Sequence, residues 1–344
     1  MRAPDFWWRA AGLQSALLSP FGAIYGAVAG ARLKREGTRA SVPVICVGDP
    51  TVGGAGKTPA SIAIAKLLQA RGEKVFFLTR GYGGSEKGPA AVDPGRHGAS
   101  DVGDEPLLLA DTAPVIVSAD RVAGAAFAAK SGASAIVMDD GFQNPSLRKD
   151  VSLLVVDAGS GAGNGLVFPA GPLRAPLEAQ IARADAAVLI GEGGAGEAVA
   201  RRAREVLHAR IEPDAEALRS LKGKTLLAYA AIGRPEKFFA TLQAAGCDVV
   251  ARQAFPDHHA FSAGEAQALL AAARERHLTL VTTEKDRARM RKNPALAALA
   301  EESRALPISL RFEDEESLKI LLNKAFSQSR HSGASANPER QFKP

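Results

Sequence analysis

The chain has two cysteines in 344 residues, Cys46 and Cys247, far apart and each in or beside an apolar run. That scarcity excludes a disulfide framework and a thiolate metal centre, and it fits buried thiols in a reducing compartment. Aromatic residues are sparse as well, at 6%, and they do not alternate with basic side chains as a nucleic-acid reading face requires. Basic residues exceed acidic ones, for a net charge of +6. A surplus of that size suits an anionic membrane or a phosphorylated molecule as well as a nucleic acid. With no reading motif present, nucleic acid is the least supported of the three. No internal repeat is evident, and the length leaves room for two domains, each with its own core.

Long apolar runs are missing too. The stretch between Arg9 and Arg32 carries no charge, but Gln14, Ser15, Ser19, Pro20 and several glycines dilute it. Phe6, Ala10, Leu13, Leu17, Phe21, Ile24 and Val28 fall on one helical stripe, with Trp7 and Trp8 at its start and Arg32, Lys34, Arg35 and Arg39 beyond its end. The span is long enough to cross a bilayer, and Ala29-Gly30-Ala31 has the small residues of a signal cleavage site. Two readings stand. One is an interfacial amphipathic helix with its tryptophans at headgroup level and its basic residues toward anionic lipid. The other is a helix packed on the domain's own core.

What is present is organised around Thr51-Val52-Gly53-Gly54-Ala55-Gly56-Lys57-Thr58. The apolar Val42–Val47 run before it reads as a buried parallel strand, and Ile62, Ile64, Leu67 and Leu68 after it have helical spacing. Strand, glycine-rich turn and helix make a phosphate loop. Glycine lets main-chain amides converge on an anion, Lys57 reaches the β- and γ-phosphates, and the Thr58 hydroxyl sits on Mg²⁺. The first position of the usual pattern is Thr51 in place of glycine. Val52 stands where partitioning ATPases carry a second lysine, and no asparagine precedes Lys285 to make the guanine-reading Asn-Lys-x-Asp. Both absences exclude familiar switch and partitioning classes.

Short apolar runs at Val75–Leu78, Val115–Val117, Ala135–Met138, Leu153–Val156 and Ala187–Ile190 alternate with helical spacers, as a parallel sheet with crossover helices requires. A charge-rich passage, 191–224, leads to a second α/β unit with strands at Thr225–Ala230, Val249–Val250, Leu278–Thr282 and Ile308–Leu310, closed by a helix near Glu316–Phe326. Asp139 and Asp140 follow a strand directly, at the sheet edge where ligands collect, and an acid there holds the nucleotide's Mg²⁺. Which of the two faces the metal is open, because neighbouring strand-end residues point opposite ways. Arg80 ends another strand beside flexible glycines and would meet an anionic substrate. Asp104 opens an apolar helix, and His258 lies in an Asp-His-His loop. Taken alone these two read as an ordinary helix start and a structural histidine.

The ordered set Val52–Pro59, Thr79-Arg80-Gly81-Tyr82-Gly83, Val102–Pro106, Asp139-Asp140-Gly141-Phe142-Gln143, Pro169–Arg174, Ala231–Phe239, Phe255–His258 and Thr282–Asp286 resembles the tetraacyldisaccharide 4'-kinase family, from the N-terminal stripe to about Phe326. The resemblance implies an α/β fold: a phosphate-loop NTPase-like, mostly parallel sheet flanked by helices, with a second smaller α/β domain and an N-terminal amphipathic helix. It implies ATP with Mg²⁺, and phosphorylation of the 4'-hydroxyl of an acylated glucosamine disaccharide 1-phosphate at the cytoplasmic face of the inner membrane, with no nucleic acid or protein partner. Carried over by motif, Asp104 is the base and His258 its partner, with Arg80, Tyr82, Gln143 and Arg174 at the substrate. The expected division is a membrane-associating segment over 1–40, a phosphate-loop kinase domain over 41–215, a smaller domain over 216–326 and a disordered tail over 327–344. Three positions depart from the family pattern: Asp49 where Asn is common, Asn144 where His is typical, and Ala175 where an acid would follow Arg174.

Overall fold

Val44–Gly48 (β1) is buried at every position, because β-branched and apolar residues without alternation suit a strand covered on both faces. It lies between two parallel partners. The computed structural model describes residues 3–330. Seven further strands follow before the second unit: β2 (Val75–Thr79), β3 (Ala90–Ala91), β4 (Val115–Val117), β5 (Ala135–Asp139), β6 (Val151–Asp157), β7 (Ala186–Ile190) and β8 (Val206–Pro213). The second unit supplies β9 (Thr225–Ala230), β10 (Asp248–Ala254), β11 (Thr279–Thr283) and β12 (Arg304–Leu306), and β13 (Ile308–Phe312) comes last.

Two sheets result, in the orders β13-β8-β7-β6-β1-β5-β2-β4-β3 and β10-β9-β11-β12. The smaller is parallel throughout, and the larger is parallel except at its two edges. The helix Lys57–Ala70 packs Ala60, Ile64, Ala65 and Leu68 on one face of the larger sheet. The opposite face is covered in part by Ala125 and Ala128 of the helix Arg121–Lys130. The smaller sheet is sandwiched by Phe238, Phe239 and Leu242 on one side and by Leu269, Leu270 and Ala273 on the other.

Four expectations are corrected. Ile308–Leu310 and the closing helix do not belong to the smaller sheet. β13 pairs antiparallel with β8, and Leu318, Leu321, Leu322 and Ala325 of the helix Glu315–Arg330 join the core of the larger one. The passage 191–224 contains the strand β8, whose inward Leu207 and Ala209 alternate with outward charges: Glu212 pairs with Arg210 on its own strand and with Arg311 across on β13. At the N-terminus the stripe is broken: Asp5–Trp8 forms a short 3-10 turn, and the helix itself is Leu13–Leu33. The expected tail falls largely outside the described residues, and Ser327–Arg330 belong to the last helix.

That N-terminal helix is inverted relative to a core helix. Its buried side consists of Ser15, Gly22, Gly26, Gly30 and Leu33, while Leu13, Leu17, Phe21, Ile24, Tyr25 and Val28 are exposed. The tryptophans are not free anchors: Trp7 is buried and donates Nε1–H to the Pro169 carbonyl at 3.0 Å, and Trp8 lies under the Arg234 guanidinium.

Candidate active site

The carboxyl ends of β1, β5 and β2 in the larger sheet and the loops after β9 and β10 in the smaller one border a single open cleft of about 2840 Å³. The phosphate loop leaves β1 at Asp49, passes Gly56 at φ +96°, and enters its helix at Lys57. Val52 N–H donates to the Pro172 carbonyl at 2.7 Å, which anchors the loop while its tip faces the cleft. A Cβ at Gly233 would lie 3.0 Å from the Gly54 nitrogen. The smaller unit's loop therefore packs tightly against the phosphate loop.

The two acids after β5 divide their roles. Asp139 is buried under the loop helix, accepting hydrogen bonds from Ser61 Oγ at 2.7 Å and Thr58 Oγ1 at 3.2 Å. Burial, with the nearby Glu105 charge, pushes its carboxyl up to about 7. Asp140 turns the other way at φ +54°, 3.7 Å from Lys57 Nζ and 3.0 Å from Arg174 Nη1. Burial raises its carboxyl, but these two cations overcome that and bring it down to about 2. Thr58, Asp139 and Asp140 offer oxygen donors only, and Asp140 Oδ1 is a cation-seeking oxygen at the cleft, with Arg174 Nη1 at 3.0 Å and Lys57 Nζ at 3.7 Å. That fits a hard divalent cation that takes few protein ligands and fills its sphere with phosphate and water.

On the other side of the cleft His258 Nδ1 lies 3.2 Å from Asp104 Oδ2, with the Tyr82 ring edge-on at 5.3 Å between centroids. His258 borders the cleft, and Asp104 is buried behind it. Asp104 is crowded with donors. Arg289 Nε donates to Oδ2 at 2.6 Å, the Glu105 amide donates to Oδ1 at 2.9 Å, and Lys285 Nζ stands 3.9 Å away. Burial pushes this carboxyl up, yet the hydrogen bond from His258 and the charges of Lys285 and Arg289 outweigh it. They hold Asp104 well below the usual carboxylate range. Lys285 also binds Glu105 at 3.0 Å, and the pair borders the same cleft.

Arg80 and Tyr82 are exposed on the cleft wall. Gln143 and Arg174 also line the cleft, but their side chains are committed to the phosphate loop. Gln143 Nε2 donates to the Asp49 carbonyl at 2.8 Å and to Gln180 at 2.9 Å, and Arg174 Nε donates to the Thr51 carbonyl at 2.9 Å. Both brace the phosphate loop. Ala175 is buried in the core of the larger sheet, away from the oxygen donors, and Asn144 caps its own turn by accepting from Ser146. Several site residues escape a reading of the sequence: Asp49, Ser61, Arg289, and Asp157, which receives Arg234 Nη1 at 2.7 Å and Lys237 from the smaller unit. Most of their partners are remote in the chain, as Asp139 is from Ser61 and Asp104 from Arg289, and the short step from Asp49 to Lys57 matches no known site spacing. The Lys285-Asp286 pair inside its quoted motif was the nearest signal to Arg289.

Comparison with known proteins gives a consistent picture. A family model described as tetraacyldisaccharide-1-P 4'-kinase matches residues 14–327. Tetraacyldisaccharide 4'-kinases of Rhodopseudomonas palustris (strain BisB5) and Nitrobacter hamburgensis are 52% and 54% identical to this chain over 96% of its length, and over 98% and 100% of theirs. Among solved structures, LpxK from Aquifex aeolicus in complex with ATP superposes with a TM-score of 0.71 at 26% identity, covering 91% of this chain and 100% of that one.

Proposed function

This chain belongs to the tetraacyldisaccharide 4'-kinase family, and from that membership we propose how its own residues carry the reaction. The protein is a kinase that uses ATP to phosphorylate the 4'-hydroxyl of tetraacyldisaccharide 1-phosphate, giving the 1,4'-bisphosphate precursor of lipid A. The main-chain amides of Gly53–Thr58 and the Lys57 ammonium receive the nucleotide phosphates, with Thr51 and Val52 shaping the loop entrance. Thr58, Asp139 and Asp140 would hold Mg²⁺, which would supply positive charge to offset that of the nucleotide phosphates. Arg174 fixes the loop and faces its anions. Gln143 supports the turn at Asp49, so Arg80 and Tyr82 are left to meet the acceptor.

A sugar hydroxyl needs its proton taken as it attacks. Asp104 is saturated with donors and set behind His258, and this favours a division in which Asp104 orients the imidazole through Nδ1 while Nε2 accepts the proton. Because the pair spans both units, closure of the cleft brings His258 to the acceptor and excludes water. The outward apolar stripe on the helix Leu13–Leu33, next to a basic cluster, is suited to meeting an acylated acceptor at an anionic membrane surface, here the cytoplasmic face of the inner membrane.

One observation carries this reading: the phosphate loop of the larger unit and His258 of the smaller one border the same cleft, and Asp104 of the larger unit holds the His258 ring from behind. The test is transfer of labelled γ-phosphate from ATP to lipid A disaccharide 1-phosphate in detergent, with Lys57→Ala and His258→Asn beside the parent. Transfer by the parent alone is expected. A folded, nucleotide-binding parent without transfer would overturn the assignment.

A further inference from the structure

Asp49 ends β1's run into the phosphate loop and is fully buried. Its Oδ2 accepts a hydrogen bond from Lys57 Nζ at 2.7 Å, and its Oδ1 stands 3.1 Å from Arg174 Nε. The Gln143 side chain holds its carbonyl from a third side. None of the steps above uses this carboxylate. A loop built to collect a triphosphate gains nothing from a buried negative charge within hydrogen-bond reach of its lysine, since the phosphates and the carboxylate compete for the same cation.

We propose that Asp49 is a tethered stand-in for a nucleotide phosphate: without nucleotide it holds Lys57 and Arg174 together, and it surrenders Lys57 when phosphate arrives. Lys57 is nearer to Asp49 than to the cleft-facing Asp140, at 2.7 Å against 3.7 Å, so the buried carboxylate draws the lysine inward. Arg174 makes the exchange feasible. It is pinned to the Thr51 carbonyl and bridges Asp49 and Asp140, so Asp49 keeps a cationic partner after Lys57 leaves and no buried charge is stranded. Asp49 is thus a positioning residue that acts through Lys57 and Arg174 without touching substrate. This inference rests on reading the loop as the nucleotide site.

Asparagine at this position keeps the shape and an acceptor oxygen but removes the competing charge. Asp49→Asn is expected to bind a non-hydrolysable ATP analogue with Mg²⁺ about tenfold more tightly than the parent, the order of effect for one charge several ångströms from a phosphate in a partly screened site. The gain is expected to be smaller for ADP, and the unliganded variant to melt at a lower temperature. Asp49→Ser, which removes shape and charge together, should shift affinity in the same direction. A residue that merely props the loop would weaken nucleotide binding when lost, so equal or weaker binding by both variants overturns the proposal. A parent that binds no nucleotide at all would bring down the site reading and this inference with it.

Discussion

His258 Nδ1 and Asp104 Oδ2 meet at 3.2 Å although 154 residues separate them, one in a loop of the smaller unit and the other opening a helix of the larger one. The contact makes a proton-handling pair conditional on how the two units sit. His258→Asn and Asp104→Asn should each lower kcat by about 10²- to 10⁴-fold while leaving nucleotide affinity within about twofold. The double variant should be hardly worse than either single one, because the residues act as a unit. Single-turnover rates and nucleotide titrations on the four proteins provide the check, and additive losses would break the pairing.

Asp104 has a structural share as well. Arg289 is buried, and its Nε is held by Asp104 at 2.6 Å. Asp104→Ala strips a buried guanidinium of a carboxylate and should cost about 3–5 kcal/mol of stability. The pH dependence has a definite sign. The folded carboxyl lies below its unfolded value of about 3.9, so its contribution is present above that pH and is lost as pH falls through the depressed folded value. Asp104 therefore stays ionised through the neutral range, and denaturant titrations of parent and variant should converge in strong acid.

Asp139 titrates with the opposite sign. Burial and the Glu105 charge raise its folded value to about 7, so the folded protein keeps a proton that the unfolded chain releases near pH 4. Its stabilising share is fully present below that lower value and is lost as pH rises through the folded one. The slope is at most about 1.4 kcal/mol per pH unit. Asp139→Asn should flatten the fall in stability between pH 5 and 7, measured by urea unfolding without Mg²⁺ or nucleotide. An unchanged slope would mean that Asp139 is already ionised in the free protein.

Thr58 Oγ1 donates to Asp139 at 3.2 Å, and in the proposed reaction that hydroxyl turns to the cation. Thr58→Val keeps the bulk and removes the oxygen. The Mg²⁺ concentration giving half-maximal rate at saturating ATP should rise by roughly tenfold, as expected when one of few protein oxygens is lost from a magnesium site. If that concentration stays the same, the hydroxyl only supports Asp139.

The parallel sheet and the phosphate loop were legible in the sequence because their signals are local: β-branched runs, glycine spacing, and acids just past a strand. The direction each acid faces was not, since it depends on Asp140 turning to φ +54°. β8 hid behind Arg210 and Glu212, whose charges face outward and mask a half-buried strand. β13 was assigned to the wrong sheet because sequence order does not record that the chain returns across the edge of the first one. Asp49 and Arg289 were invisible as site residues. Each earns its place through a buried ion pair, and Arg289 finds its partner 185 positions away.

The N-terminal helix offers the last separation of roles. Gly22, Gly26 and Gly30 are buried, with Val167 and Pro176 standing opposite where side chains would be. Leu13, Leu17, Phe21, Ile24 and Val28 are 57–78% exposed on the outer side. A helix stabilising a water-facing domain would put its large apolar residues inward, and this arrangement is compatible with an apolar medium outside. Each such side chain transferred from water is worth about 1.5–3 kcal/mol when fully buried, so replacing three removes most of the driving force. Leu17→Ser, Phe21→Ser and Ile24→Ser together should abolish flotation with anionic liposomes while transfer to a detergent-solubilised acceptor stays within about threefold, because no residue of the cleft chemistry is touched. Retained flotation would move the membrane contact elsewhere. Lost transfer in detergent would instead show that this face grips the acceptor's acyl chains directly.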